Sequence, residues 1–227
     1  MHPIETIRLF TAIRRPYASD RQAILNVLSV YRQADTAIRR FQRQTGLRCI
    51  SGCGACCEKH DFDTTMLELM PLAFSLWCRG TLDFWHTRAL AAREGDRCIF
   101  YNAHPGTDSA GRCLMYPLRP LVCRLFGFTA QDDKYGAPRL VACASVKKVF
   151  PRSYERATAL TLREGAPKMS HFSLRLLITG DEVTRKRLFI NAGFLKASER
   201  IERITRRQRD SCFDVFTGQR PSPGLAG

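Results

Sequence analysis

The sequence predicts an α+β fold, mostly helical, with a small antiparallel β-hairpin region beside a cysteine-rich metal site. Three observations carry that expectation. Apolar residues recur at helical spacing through residues 19–45, 66–77 and 82–94 and again after residue 153. Between Arg97 and Tyr116 the pattern changes to two short apolar runs on either side of a loop of turn-forming residues. Ahead of that hairpin, Cys49-Ile-Ser-Gly-Cys53-Gly-Ala-Cys56-Cys57 sets four sulfurs within nine residues, on a backbone loosened by Gly52 and Gly54. With 44% hydrophobic residues in 227, the chain can bury a core without disulfides.

Taken in order, residues 1–46 form an N-terminal helical lead. Its helix starts at a Ser19-Asp20 cap and runs to Thr45. Ile24, Leu28, Tyr31, Ile38 and Phe41 share one face, Arg21, Arg32, Arg39 and Arg43 the other, and Gly46 is the terminating residue. Residues 47–150 form the cysteine-cluster metal-binding domain. Within it, Asp61 to Asp63 offer a cap for a helix from Met66 through Trp77, with Pro71 as a kink and Gly80 as its stop. A second helix spans Leu82 to Glu94, with Phe84, Trp85 and Leu90 on its buried side and Gly95 at its end. Cys78, among apolar neighbours, behaves as a small hydrophobe. In the hairpin, Arg97-Cys98-Ile99-Phe100-Tyr101 and Arg112-Cys113-Leu114-Met115-Tyr116 put Cys98 and Cys113 opposite one another across the ladder. Pro117 and Pro120 shape a turn into a short helix that returns Cys123 to the hairpin. Two further extended pieces flank Asp132-Asp133-Lys134-Tyr135-Gly136. Residues 151–212 are a basic helical C-terminal extension packed on this domain, and 213–227 a disordered tail.

The first eight residues contain no apolar run of signal-peptide length, and no later stretch approaches a membrane span, so the expected location is cytoplasmic. In a reducing compartment ten cysteines do not form a disulfide framework, and the clustered ones read as metal ligands or redox-active thiols. The formal net charge is +15. Spread over most of the chain, it reads first as a solvated surface and second as a face for nucleic acid, an anionic membrane surface or an acidic partner. The nucleic-acid reading rests on the charge of a helix from Arg185 to Arg209 alone, with no aromatic stacking platform. No Ser-His-Asp arrangement, paired catalytic carboxylates or Gly-x-Gly-x-x-Gly helix start can be made out.

Cys53-x-x-Cys56-Cys57, then Cys98, then Cys113-x-x-Tyr116-x-x-Arg119-Pro120-x-x-Cys123-Arg124 resemble the YkgJ-type cysteine-cluster family, a zinc- or iron-chelating domain similar to the cysteine-rich part of the bacterial flagellin lysine N-methylases. The likeness covers residues 49–145, and the family's leading Cys-x-x-Cys stands here as Cys49-x-x-x-Cys53. The resemblance implies a chelated metal and, through the methylases, methyl transfer to protein lysine as an alternative activity. The sequence carries no S-adenosylmethionine signature. Cys49-x-x-x-Cys53-x-x-Cys56 has the spacing of radical enzymes, but the remaining chain is too short for their barrel.

The residues themselves point the same way. Soft thiolates select Zn²⁺ or an iron-sulfur cluster. Adjacent side chains such as Cys56 and Cys57 diverge, which a cluster of several metal atoms accommodates more easily than a closed mononuclear zinc site. Arg97, Arg112, Arg119 and Arg124 each lie within a few residues of a candidate ligand, and nearby cations stabilise a reduced cluster. The candidate ligands are Cys53, Cys56, Cys57, Cys98, Cys113, Cys123 and Cys143, the last because Leu140-Val141-Ala142 can return it to the hairpin. A four-thiolate site leaves some of them spectators. Arg119, Arg124 and Tyr116 are the candidate cofactor contacts, against plain salt-bridge, helix C-cap or packing roles. His60 and His104 read as surface residues. The expected function is metal binding through an iron-sulfur cluster, of 4Fe–4S type, in a redox, sensing or structural role with a protein partner or electron carrier. The alternatives are a zinc-binding structural module presenting a basic surface to a partner, and a lysine N-methylase-like enzyme.

Overall fold

The structure is a computed structural model and describes residues 12–13, 17–50, 54, 62–102 and 111–205. Helix α1 (Ala18–Thr45) buries Ala23, Ile24, Val27, Tyr31, Ala34, Ile38 and Phe41, the stripe its period requires. Gly46 ends it in the left-handed conformation, φ 72°, and returns its N–H to the Gln42 carbonyl at 2.8 Å. The Ser19-Asp20 cap does not form. Tyr17 is the N-cap residue, without a side-chain bond, and Asp20 is buried, its carboxylate taken by Arg200 at 2.7 Å.

Strand β1 (Asp63–Thr65) leads directly into α2 (Met66–Cys78), in which every residue is buried. An apolar helix with no solvent face belongs at the centre of a fold. Its cap is Thr65, whose hydroxyl accepts the Glu68 N–H at 3.2 Å, and not Asp63, which sits in the strand. Helix α3 (Leu82–Ala91) stops short of Glu94 and buries Leu82, Trp85 and Ala89, leaving Phe84 and Leu90 exposed.

Strands β2 (Tyr101–Asn102) and β3 (Arg112–Cys113) form the expected antiparallel hairpin in a different register: Tyr101, not Cys98, lies opposite Cys113. The reason is local. Tyr101 N–H bonds the Cys98 carbonyl at 2.9 Å, so the chain turns between these residues and joins the ladder only afterwards. A 3₁₀ turn (Tyr116–Leu118) then leads to α4 (Leu121–Leu125), the short helix carrying Cys123. β4 (Thr129–Asp132) and β5 (Pro138–Val141) pair antiparallel around Gly136, as expected.

The remaining elements are α5 (Ala144–Val149), α6 (Pro151–Leu162), α7 (Met169–Leu177), α8 (Glu182–Arg185), β6 (Arg187–Phe189) and α9 (Ile190–Thr205). The stretch from Arg185 to Arg209, read as one helix, is broken by β6. This strand pairs antiparallel with β1, Thr64 facing Leu188, and Arg187 reaches Asp63 at 2.5 Å. Beyond it, α9 buries Phe194, Ala197, Ile201 and Ile204 and makes its most extensive contact with α2. Residues 206–212 and the 213–227 tail lie outside the described residues. Among the described residues no helix is long and apolar enough to cross a membrane.

Candidate metal centre

Cys98, Cys113 and Cys123 line one cavity, walled by Phe62, Leu69, Leu72, Phe100, Met115 and Ile190, with Arg119 and Pro120 at its side. Three successive segments, the turn before the hairpin, strand β3 and α4, therefore deliver their thiols to one place. On the hairpin the strand period sorts the side chains: Cys113 and Met115 face the cavity, while Arg112 and Leu114, alternating with them, are exposed.

Cys98 is held through its flanking backbone. The Oδ1 of Asn191, at the start of α9, accepts the Ile99 N–H at 3.0 Å, and its Nδ2 donates to the Arg97 carbonyl at 3.0 Å. Phe100 is wedged between Trp85 and Phe194, its ring centroid 4.8 Å from each.

Cys123 is held by buried charge. Glu68 accepts the Leu121 N–H at 2.7 Å and the Thr64 hydroxyl at 3.1 Å, tying the start of α4 to the start of α2. Burial pushes its carboxyl above the ordinary value, against the pull of those donors. Arg124, next to the thiol, is 5% exposed. It bonds both Asp35 oxygens at 2.7 and 2.8 Å and the Pro117 carbonyl at 2.7 Å, with its guanidinium 4.4 Å from the Tyr31 ring centre. Its buried Nε has no hydrogen-bond partner among the described residues. Tyr31 donates to the Glu68 carbonyl at 2.8 Å, and burial holds its phenol well above the ordinary value.

The other sequence candidates scatter. Arg119 stacks 3.5 Å over the Tyr116 ring and bonds the Tyr116 carbonyl at 3.2 Å, on the cavity wall. Tyr116 itself is half-exposed. Cys143 stands apart as the N-cap of α5, its Sγ accepting the Val146 N–H at 3.4 Å. Cys78 is buried in α2 and Cys49 is exposed. Cys53, Cys56, Cys57, His60 and His104 lie outside the described residues. Gly54, between the first two, is described and buried. A Cβ on it would stand 2.4 Å from the Tyr101 ring and 2.7 Å from the Gly111 carbonyl oxygen, so only glycine lets this backbone lie against the hairpin.

Among the described residues no three His, Cys, Asp or Glu side chains suffice alone to hold a metal ion. The donor chemistry nonetheless fits one. Three soft sulfurs line one apolar cavity, a cation lies on its wall, and the glycine of the cysteine loop is packed against the hairpin that bears Cys113. Sequence reasoning missed two residues that position these thiols, Glu68 and Asn191. Thr65-x-x-Glu68 ahead of an apolar run is a capping-box signature that marks the first. An amide on the buried face of α9, in line with Phe194 and Ile201, marks the second.

No curated protein and no solved structure matches the chain. A family model does match, over residues 48–144, the span that contains all three cavity cysteines and the cysteine loop. Over that span the chain is similar to the CxxCxxCC family, described as "Putative zinc- or iron-chelating domain".

Proposed function

We propose that the protein holds an iron-sulfur cluster between its cysteine loop, the β2–β3 hairpin and α4, and that it serves a redox role with a protein electron carrier. The observation that carries this is the seat of Gly54 on Tyr101 and Gly111. Consecutive Cα atoms are about 3.8 Å apart, and Gly54 is preceded by Cys53 and followed two residues on by Cys56. This tether supports placing the loop thiols beside Cys98, Cys113 and Cys123. Six thiols so placed would exceed the four that close a mononuclear zinc site, and a cluster would offer adjacent Cys56 and Cys57 separate metal atoms. When bound, the cluster supplies a one-electron couple. The chain's own residues fix the thiolates, keep water out with Phe62, Leu69, Leu72 and Phe100, and set the Arg119 charge at the wall.

A structural zinc ion is the second reading, favoured by one observation: the cavity that the three described thiols line is small, about 20 Å³. Iron, sulfide and zinc quantification with an absorption spectrum, on protein purified without oxygen, separates the two. Matching iron and sulfide, lost in Cys123→Ser and kept in Cys78→Ser, is the expected result. Stoichiometric zinc in a colourless protein gives the site to the second reading, and no metal of either kind sinks both.

A further inference from the structure

The family match ends at residue 144, yet the backbone on both sides of Cys98 is gripped by a residue beyond it. Asn191 is buried on the inner face of α9. A helix that needed only to pack on α2 is better served there by an apolar side chain, since a buried amide without partners costs roughly 1–3 kcal/mol. Both ends of this amide are used. Its acceptor takes the N–H of residue 99 and its donor serves the carbonyl of residue 97, both at 3.0 Å. A neighbouring strand would present the same donor–acceptor pair. Cys98 is thus fixed as though paired in a sheet, although it precedes the hairpin ladder.

We propose that Asn191 is a positioning residue of the metal centre and that α9 is part of the site: Cys98 is set for metal only while α9 is seated on α2. The inference rests on the metal–thiolate reading above. Without Asn191 the turn from Cys98 to Tyr101 keeps its own 2.9 Å bond, but the two hydrogen bonds that hold the backbone on either side of Cys98 are lost. Groups that orient a ligand typically contribute a factor of about 10–100 in metal affinity.

The test titrates the full-length, metal-free protein with Co²⁺, whose thiolate charge-transfer and d–d bands report the donor set, and obtains Kd by competition with a chromophoric chelator. Asn191→Ala is expected to weaken binding about 10–100-fold and to alter the Co²⁺ spectrum. Asn191→Asp keeps the acceptor for Ile99 and loses the donor to Arg97, and is expected to fall between. Ser198→Ala controls for a merely structural effect. It removes a hydroxyl bonded to His86 Nδ1 at 2.9 Å further along the same helix, and is expected to lower the melting temperature while leaving Kd unchanged. If Asn191→Ala, compared at equal folded fraction, binds Co²⁺ as tightly as Ser198→Ala, the proposal is overturned. Should the alanine variant not fold, wild-type affinity and spectrum in Asn191→Asp overturn it instead. A wild-type protein that does not bind Co²⁺ overturns the metal reading beneath it as well, which sets that failure apart.

Discussion

Gly54→Ala is the sharpest single-atom perturbation available, because the added methyl group has nowhere to go. Its position is 2.4 Å from Tyr101 Cε2, 2.7 Å from the Gly111 oxygen and 2.9 Å from the Gly111 carbonyl carbon, where ordinary contact begins at 3.4 Å. The Tyr101 ring can swing aside, but Gly111 is backbone at the start of the ladder and cannot. The loop must therefore retreat from the hairpin by about 0.7 Å to relieve the carbonyl contact alone. Overpacking of this kind costs about 1–3 kcal/mol. If the strain falls on the seating of the loop, which the metal-bound form requires, it appears as a loss of about 5–150-fold in affinity, since 1.4 kcal/mol is a factor of ten. The assay is Co²⁺ or Zn²⁺ competition titration on the reduced protein, with metal content after purification as a check. Gly54→Ala/Tyr101→Ala should recover only part of the loss, because the Gly111 contact remains. Wild-type affinity in Gly54→Ala would refute the claim that the loop must lie on the hairpin to complete the site.

Asp35→Ala should destabilise the fold by about 2–3 kcal/mol, read as a fall in urea midpoint, because it strips the charged partner from a buried guanidinium. Glu199→Ala, which breaks an exposed pair with Lys196, should cost under about 0.5 kcal/mol in the same assay. Hydrogen bonds from Arg187 hold the Asp63 carboxyl below its ordinary value, so the stability it contributes is present above the ordinary carboxylate range and is lost as pH falls through the depressed value. Urea midpoints between about pH 5 and about pH 3 should therefore fall less steeply in Asp63→Asn than in wild type; equal slopes would contradict the assignment. In the cluster-loaded protein, Arg119→Met removes a cation from the cavity wall and should move the midpoint potential to a more negative value, measured by spectroelectrochemistry.

What was legible in the sequence was local. Helical period and a left-handed glycine gave α1 its length and its stop at Gly46, and turn residues around Gly136 gave the β4–β5 pair. The gathering of Cys98, Cys113 and Cys123 followed from the hairpin and the proline-led return. Their register did not, because a turn closed by a single bond from Tyr101 N–H to the Cys98 carbonyl precedes the ladder, and no residue pattern announces it. Strands β1 and β6 escaped for a related reason. Each is three residues long, too short for alternation to be read, and each exists because the other is beside it. Glu68 was signalled by its spacing from Thr65, but no local rule says that its carboxylate goes to Leu121 rather than back to its own helix.

The burial of α2 on every side has a consequence for how the protein is made. The helix is complete at residue 78, whereas α9, its broadest cover, begins at residue 190. At a synthesis rate of about 5–20 residues per second, roughly 6–22 s separate the two. During that interval a mostly apolar helix and the thiols near it stand on the ribosome without their cover, open to aggregation, chaperones and oxidants. Closure waits for the last described helix and brings together segments more than a hundred residues apart, a high-contact-order step that is intrinsically slow. The nascent chain thus presents this adhesive surface well before its cover, so the yield of native protein should depend on chaperone holding until α9 has been made.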